Sequence, residues 1–287
     1  MKSIFFIITF LFFVQINSLA SLPKVIYGDD NRLDAFEVKS NFYLKLAEST
    51  AAQIPNSAIV IRGSTAELYG KPLKNWIPPR MAHAVCENER FSEQPTASNC
   101  SGFFVGDDVI ATAGHCMTSE NDCSDFSWVV NYKVSAENES AVSVDVAEVF
   151  KCSKIIKVGL SAELDFALIK LDRSHPGRAV KLAKTRPSVG TQLVMIGHPS
   201  GLPQKISDGA RIAEVSEKSF KTNLDAFGGN SGSAVFNSQT GELLGILVNG
   251  SQDYRYNSLL NCSEVNLLSD DEAGEGVSSF EQFLPYL

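Results

Sequence analysis

The sequence predicts an all-β protein, and three features carry that expectation: the length of its apolar runs, their residue types, and the turn residues between them. From Cys100 onward, apolar runs recur at 102–105, 109–112, 128–132, 142–149, 166–171, 193–196, 234–236 and 243–248. Each has the length of a strand and is rich in Val, Ile, Leu and Phe, and Gly, Asn, Asp or Ser lies between successive runs. No long stretch of helical period interrupts them, so the pattern is that of a β-sandwich or a β-barrel. No internal repeat is visible.

The N-terminal residues stand apart. Lys2 supplies a positive start, 3–16 is almost wholly apolar, and Ser18-Leu19-Ala20 offers small residues for cleavage. Residues 1–20 therefore read as a secretory signal peptide cut near Ala20. The apolar run is shorter than the roughly 20 residues of a spanning helix, which argues against stable membrane insertion. The expected destination is extracellular or periplasmic. Residues 21–85 read as a leader, a propeptide or N-terminal segment, with a helical stretch over 35–51 and breaks at Pro72, Pro78 and Pro79. Residues 86–287 are then the main domain, two β units dividing near 175–190.

The formal charge of −8 and the absence of a Lys/Arg cluster exclude a nucleic-acid-binding surface. Six cysteines, an even number, all lie beyond the leader peptide. In an exported chain they read as disulfides, and no Cys-x-x-Cys pair suggests zinc. No metal and no cofactor are expected. Triplets for N-glycosylation occur at Asn99, Asn138, Asn249 and Asn261.

Three segments carry chemistry together. Thr112-Ala-Gly-His115-Cys116 follows an apolar strand, Leu164-Asp165-Phe-Ala-Leu opens another, and Gly228-Gly229-Asn230-Ser231-Gly232-Ser233 is a Gly-rich loop with a serine at its centre. Alone, each has a plainer reading: a structural histidine, a turn aspartate, a tight loop. Jointly they meet the needs of acyl transfer. A serine hydroxyl needs an imidazole to take its proton, and the imidazole needs a carboxylate to hold its tautomer. The oxyanion needs preorganised N–H donors. The order His, Asp, Ser differs from that of the α/β-hydrolases, and Ser233 breaks their Gly-x-Ser-x-Gly elbow. Asp172 and Asp145 are the rival carboxylates. Asp172 lies before a surface turn and Asp145 has no matching motif. His83, His175 and His198 read as structural.

These three signatures resemble those of chymotrypsin-like (trypsin-like) serine proteases, especially the bacterial V8-like, glutamyl-endopeptidase-related branch. Val25-Ile26 with Asp30-Asn31-Arg32, Cys100-Ser-Gly-Phe-Phe-Val105 and Gly197-His-Pro-Ser-Gly-Leu-Pro203 extend the likeness over most of 25–287. The resemblance implies two six-stranded antiparallel β-barrels with the active site in the cleft between them. It implies His115 as general base, Asp165 as its orienting partner, Ser231 as nucleophile, and the N–H groups of Gly229 and Ser231 as oxyanion hole. The expected protein is a monomeric, exported serine endopeptidase, made as a zymogen and acting on proteins or peptides. A catalytically silent binding module of the same fold is the alternative.

Specificity and maturation follow from the same likeness. Glutamyl endopeptidases hold an acidic side chain with a Thr and a His at positions that here are Ala226 and Leu247. Asp225 matches the pocket-base aspartate of trypsin-like enzymes, and Gly250 and Gly276 match the small residues of that pocket's walls. Cleavage after Arg or Lys is the expectation. Asp225 turned away, with Glu-specific cleavage retained, is the alternative. The resemblance implies a Cys100–Cys116 bridge. Four further cysteines allow three connectivities; pairing Cys123 with Cys152 leaves Cys86 for Cys262. Asn230 stands where digestive members carry the aspartate that pairs with a new N-terminus. Maturation is expected after Lys24, exposing Val25, or near Arg80.

Overall fold

The computed structural model describes residues 26–137 and 139–287. The expected signal peptide, Val25, the site after Lys24 and Asn138 lie outside the described residues. Two closed six-stranded antiparallel barrels make up the body of the molecule. The first contains Thr50–Pro55, Cys100–Gly106, Val109–Thr112, Phe126–Val130, Val149–Leu160 and Asp165–Leu171. The second contains Gln192–Gly197, Lys205–Val215, Ser219–Thr222, Ala234–Asn237, Leu243–Asn249 and Glu275–Ser279, closed by pairing of its first two strands. The last strand of the first barrel ends at Leu171 and the first of the second begins at Gln192.

Each barrel encloses its own apolar filling. Phe103, Phe104, Ile110, Trp128, Phe150, Phe166 and Leu168 are fully buried in the first, and Leu193, Val194, Ile196, Val235, Phe236 and Ile246 in the second. Because side chains alternate along a strand, neighbours such as Phe103 and Phe104 or Leu193 and Val194 face opposite sides, so both faces of these strands are covered. The two sets merge into one contiguous cluster, so the barrels are packed on each other as well as within themselves.

The N-terminal region departs from the reading as a leader. The strand Thr50–Pro55 pairs with Cys100–Gly106 on one side and Phe126–Val130 on the other, and so closes the first barrel. The strand Arg32–Asp34 adds to the second barrel beside Lys205–Val215. The peptidase unit therefore begins well before residue 86. Residues before Arg80 thus supply one strand of the first barrel and an edge strand of the second. Helix is confined to Asn41–Ala47 within the expected 35–51, entered through Ser40, whose side chain accepts the Tyr43 N–H. The run at 142–149 is likewise divided: Val142–Asp145 is a strand of a separate small sheet, and Val149 starts a long strand of the barrel.

Disulfides join Cys100 to Cys116, Cys123 to Cys152 and Cys86 to Cys262. The first ties the turn after Val109–Thr112 to the start of Cys100–Gly106. The second ties the helix Glu120–Asp125 to the long strand Val149–Leu160. The third ties residue 86 to the hairpin formed by Tyr254–Asn257 and Cys262–Val265.

Candidate active site

Strand register brings His115 and Asp165 together. Val109–Thr112 runs antiparallel to Asp165–Leu171 with Thr112 opposite Ala167. The turn just past Thr112 therefore lies beside the first residue of the partner strand. His115 Nδ1 lies 2.8 Å from Asp165 Oδ2, and the His115 backbone N–H donates to Asp165 Oδ1 at 3.1 Å. One carboxylate thus fixes both the ring and the backbone of the histidine, leaving Nε2 directed elsewhere. The rivals are engaged locally: Asp172 accepts the Lys151 N–H and Asp145 the Ala147 N–H. His175 stacks on Phe150 and His83 on Tyr256. His198 is buried against Tyr132, with Nδ1 3.2 Å from the Leu202 carbonyl, and burial pushes it down to about 3. It is a neutral structural group.

Ser231 sits on the loop before Ala234–Asn237, and the loop's shape depends on glycine. Gly229 and Gly232 have φ of +94° and +89°, conformations that L side chains rarely adopt. A Cβ on Gly232 would meet the Ser101 carbonyl oxygen at 2.0 Å. The Gly232 N–H donates to Leu247 O and the Ser233 N–H to Asn230 O. The Gly229 and Ser231 N–H groups donate to no acceptor among the described residues. Asn230 is buried, and its Oδ1 accepts the Ser233 hydroxyl at 3.1 Å.

Ser101, which sequence reading passed over, joins the barrels at this point. Its N–H donates to the Ser231 carbonyl at 2.8 Å, its hydroxyl donates to the Gly229 carbonyl at 2.8 Å, and the His198 N–H donates to that hydroxyl at 2.9 Å. Its only signal was its place in the Cys100-Ser-Gly-Phe-Phe-Val105 phrase, where it was quoted but given no role.

A pocket of about 190 Å³ opens beside Ser231, lined by Phe227, Gly228, Leu247, Asn249, Gly250, Ser251, Asp253 and Glu275. Leu247 and Gly250 are where the sequence puts them. Ala226 is buried in the core and, with Gly276 and Asp225, does not line this space. Asp225 Oδ1 accepts the Tyr27 N–H and Oδ2 the Asn31 N–H, both at 2.8 Å. The expected pocket base is therefore a tether for the N-terminal segment, because those two backbone donors occupy both oxygens. Burial pushes this carboxyl up to about 7. The acids that do line the pocket, Asp253 and Glu275, went unnoticed. Glu275 had one signal, a charged residue held between Gly274 and Gly276.

One cluster has metal-like spacing: a ring nitrogen of His115 and the sulfurs of Cys100 and Cys116 lie within 4.8 Å of one another. Both sulfurs are consumed in the disulfide, so no thiolate is available to a metal.

Comparison with known proteins bears on the whole chain. A family model described as a trypsin-like peptidase domain matches residues 100–246, just over half of the sequence. A Glu endopeptidase structure superposes with a TM-score of 0.53 at 17% identity, covering 91% of this chain and 97% of its own. The active form of the Rv3671c protease from M. tuberculosis gives 0.48 at 14%, covering 88% and 84%. A search of curated proteins found no match.

Proposed function

The chain belongs to the trypsin-like peptidase family, and from that premise we propose that it is an exported serine endopeptidase using His115, Asp165 and Ser231 as its triad. The observation that carries this reading is the double hold of Asp165 on His115, ring and backbone together. A carboxylate on Nδ1 selects the tautomer with a free Nε2 lone pair and stabilises the imidazolium that forms when that nitrogen takes a proton.

Ser231 Oγ attacks the scissile carbonyl while its proton passes to His115 Nε2. The oxyanion is received by the Gly229 and Ser231 N–H groups, which donate to no acceptor among the described residues and sit on a loop with positive-φ glycines. His115 then gives the proton to the leaving amine, and water repeats the sequence on the acyl-enzyme. Three disulfides support export. Among the described residues, no helix is long and apolar enough to cross a membrane. The acidic lining of the pocket favours Arg or Lys as the side chain preceding the scissile bond (P1), and would repel Glu.

A fluorophosphonate probe should label Ser231 in the native protein, and peptide hydrolysis should fall by at least about 10³-fold in Ser231→Ala. A protein that takes up no label and cleaves no peptide is the silent binding module instead. Near-wild-type hydrolysis by Ser231→Ala would refute the assignment of the nucleophile.

A further inference from the structure

We propose that Glu275, with Asp253 beside it, receives the cationic end of the P1 side chain, and that Asp225 has no part in that contact. The inference rests on the endopeptidase reading, since it takes the pocket beside Ser231 as the one that receives substrate.

Glu275 is 2% exposed, yet lines the same cavity as Ser231. Its Oε1 accepts the Tyr27 hydroxyl and the Ser251 N–H, both at 3.2 Å. Its Oε2 accepts no hydrogen bond among the described residues. This oxygen is available to a donor that enters the cavity, and an ionised acceptor there makes a charge-assisted hydrogen bond. The chain also keeps room for this oxygen: a Cβ on Gly250 would lie 1.9 Å from Oε2. Asp253 repeats the arrangement, with Oδ2 taken by the Gly228 N–H at 2.7 Å and Oδ1 left open. No Lys or Arg lines the pocket.

Two open carboxylate oxygens in one small cavity suit a planar, multiply donating guanidinium, or an ammonium. Besides the Ser251 N–H, the groups that act on Glu275 are Asp253, Tyr27 and Asp225, none of them cationic, whereas Asp253 also feels the charge of Arg32. Burial pushes Glu275 up to about 8 and Asp253 up to about 6. In the empty pocket Glu275 holds its proton through neutral pH, and a P1 cation favours its release. For substrates that differ only in charge at P1, the advantage of Arg should therefore grow as pH rises through about 8.

Benzamidinium, a cationic probe that needs no turnover, separates this inference from the catalytic one. By calorimetry at pH 8 it should bind the wild type and Ser231→Ala alike. Binding should weaken by at least about 10-fold in Glu275→Gln and persist in Asp225→Asn. Peptides carrying Arg or its neutral isostere citrulline at P1 give the second readout. The Arg/citrulline ratio of kcat/KM should collapse toward unity in Glu275→Gln and hold in Asp225→Asn. Failure of the wild type to bind benzamidinium, undiminished affinity in Glu275→Gln, or loss confined to Asp225→Asn would overturn the assignment. Benzamidinium binding with this pattern in a protein that the fluorophosphonate does not label would retain the pocket and remove the peptidase.

Discussion

Ser101 shows how much of the site depends on a residue with no chemistry of its own. Its hydroxyl satisfies the part-buried Gly229 carbonyl on the Ser231 loop and one buried N–H on the loop at His198. Ser101→Ala leaves both unpaired, and an unsatisfied buried backbone group costs roughly 1–3 kcal/mol. Urea unfolding should show a loss of that order, and kcat should fall about 10-fold with KM little changed, because the loop is loosened while the pocket walls stay. Unaltered stability together with unaltered kcat would show that Ser101 does not position Ser231. At this scale the sequence was most legible in the pairing of His115 with Asp165, where strand register brings the two motifs side by side. It was least legible where a residue acts only through neighbours that folding supplies. Asp225 occupies the expected place in the chain, but Tyr27 and Asn31 reach it from 198 and 194 residues away. No local pattern announces that contact.

Among the elements, the strands read correctly were those built as continuous apolar runs, such as Asp165–Leu171 and Leu243–Asn249. The strands overlooked are buried by other means. Thr50–Pro55 is almost continuously buried but built largely from Thr, Ala and Gln, so it looked like the end of a helix. Lys205–Val215 carries Lys, Asp, Gly, Arg and Glu. Lys205 is nonetheless buried, its ammonium donating to Asp34 Oδ1 at 2.5 Å, Gln94 Oε1 at 2.7 Å and Pro203 O at 3.0 Å. Glu275–Ser279 holds the pocket acid at its first residue. Such buried charges make stability depend on pH in a defined window. Asp225 and Glu275 are raised to about 7 and about 8, so both carboxyls keep their protons in the folded chain at pH values where the unfolded chain has lost them. Their contribution to stability is therefore lost as pH rises to about 8. His198, lowered to about 3, acts in the opposite sense, but only below the ordinary histidine range near about 6.5. Lys205, lowered to about 8, also acts oppositely, mainly above that value. Between pH 6.5 and 8 the carboxyls should dominate, so unfolding free energy should fall as pH rises, and Glu275→Gln should flatten the slope. A wild-type stability that climbs across this window in urea titrations would contradict the burial of these groups.

The molecule as a whole is held by packing between the barrels, and one part depends on a smaller apolar cluster of its own together with a disulfide. The hairpin Tyr254–Asn257 with Cys262–Val265 stands outside both barrels and pairs only with itself as a sheet. It is seated by burial of Tyr254 and Val265 against Leu73, Val85, Leu202 and Phe227, by the bridge to Cys86, by the Cys86 and Ser263 backbone N–H groups, and by the hydroxyl of Ser263 on His83 O. Its tip is apolar and exposed, with Leu259 94% accessible, so burial of the tip does not hold it down. The same segment leads from Asp253 in the pocket and carries Tyr254, whose hydroxyl lies 2.7 Å from Ser200 Oγ. The Cys86–Cys262 bridge closes a loop with a sequence separation of 176, against 16 for Cys100–Cys116. In the chain-entropy account a loop that long restrains the unfolded chain by roughly 5 kcal/mol, and the short one by about 3 kcal/mol. Replacing Cys86 and Cys262 by serine should therefore lower unfolding stability by about 2–5 kcal/mol. It should also loosen the Asp253 side of the pocket while leaving the His115 side intact. The two effects are separable: urea unfolding reads the first, and the ratio of benzamidinium affinity to fluorophosphonate labelling rate reads the second. Affinity should drop while the labelling rate, set by His115 and Ser231, holds within about 3-fold. A fall in labelling equal to the fall in affinity would mean that the bridge supports the catalytic loop itself, and that the hairpin is part of the second barrel's structural core rather than an appended wall of its pocket.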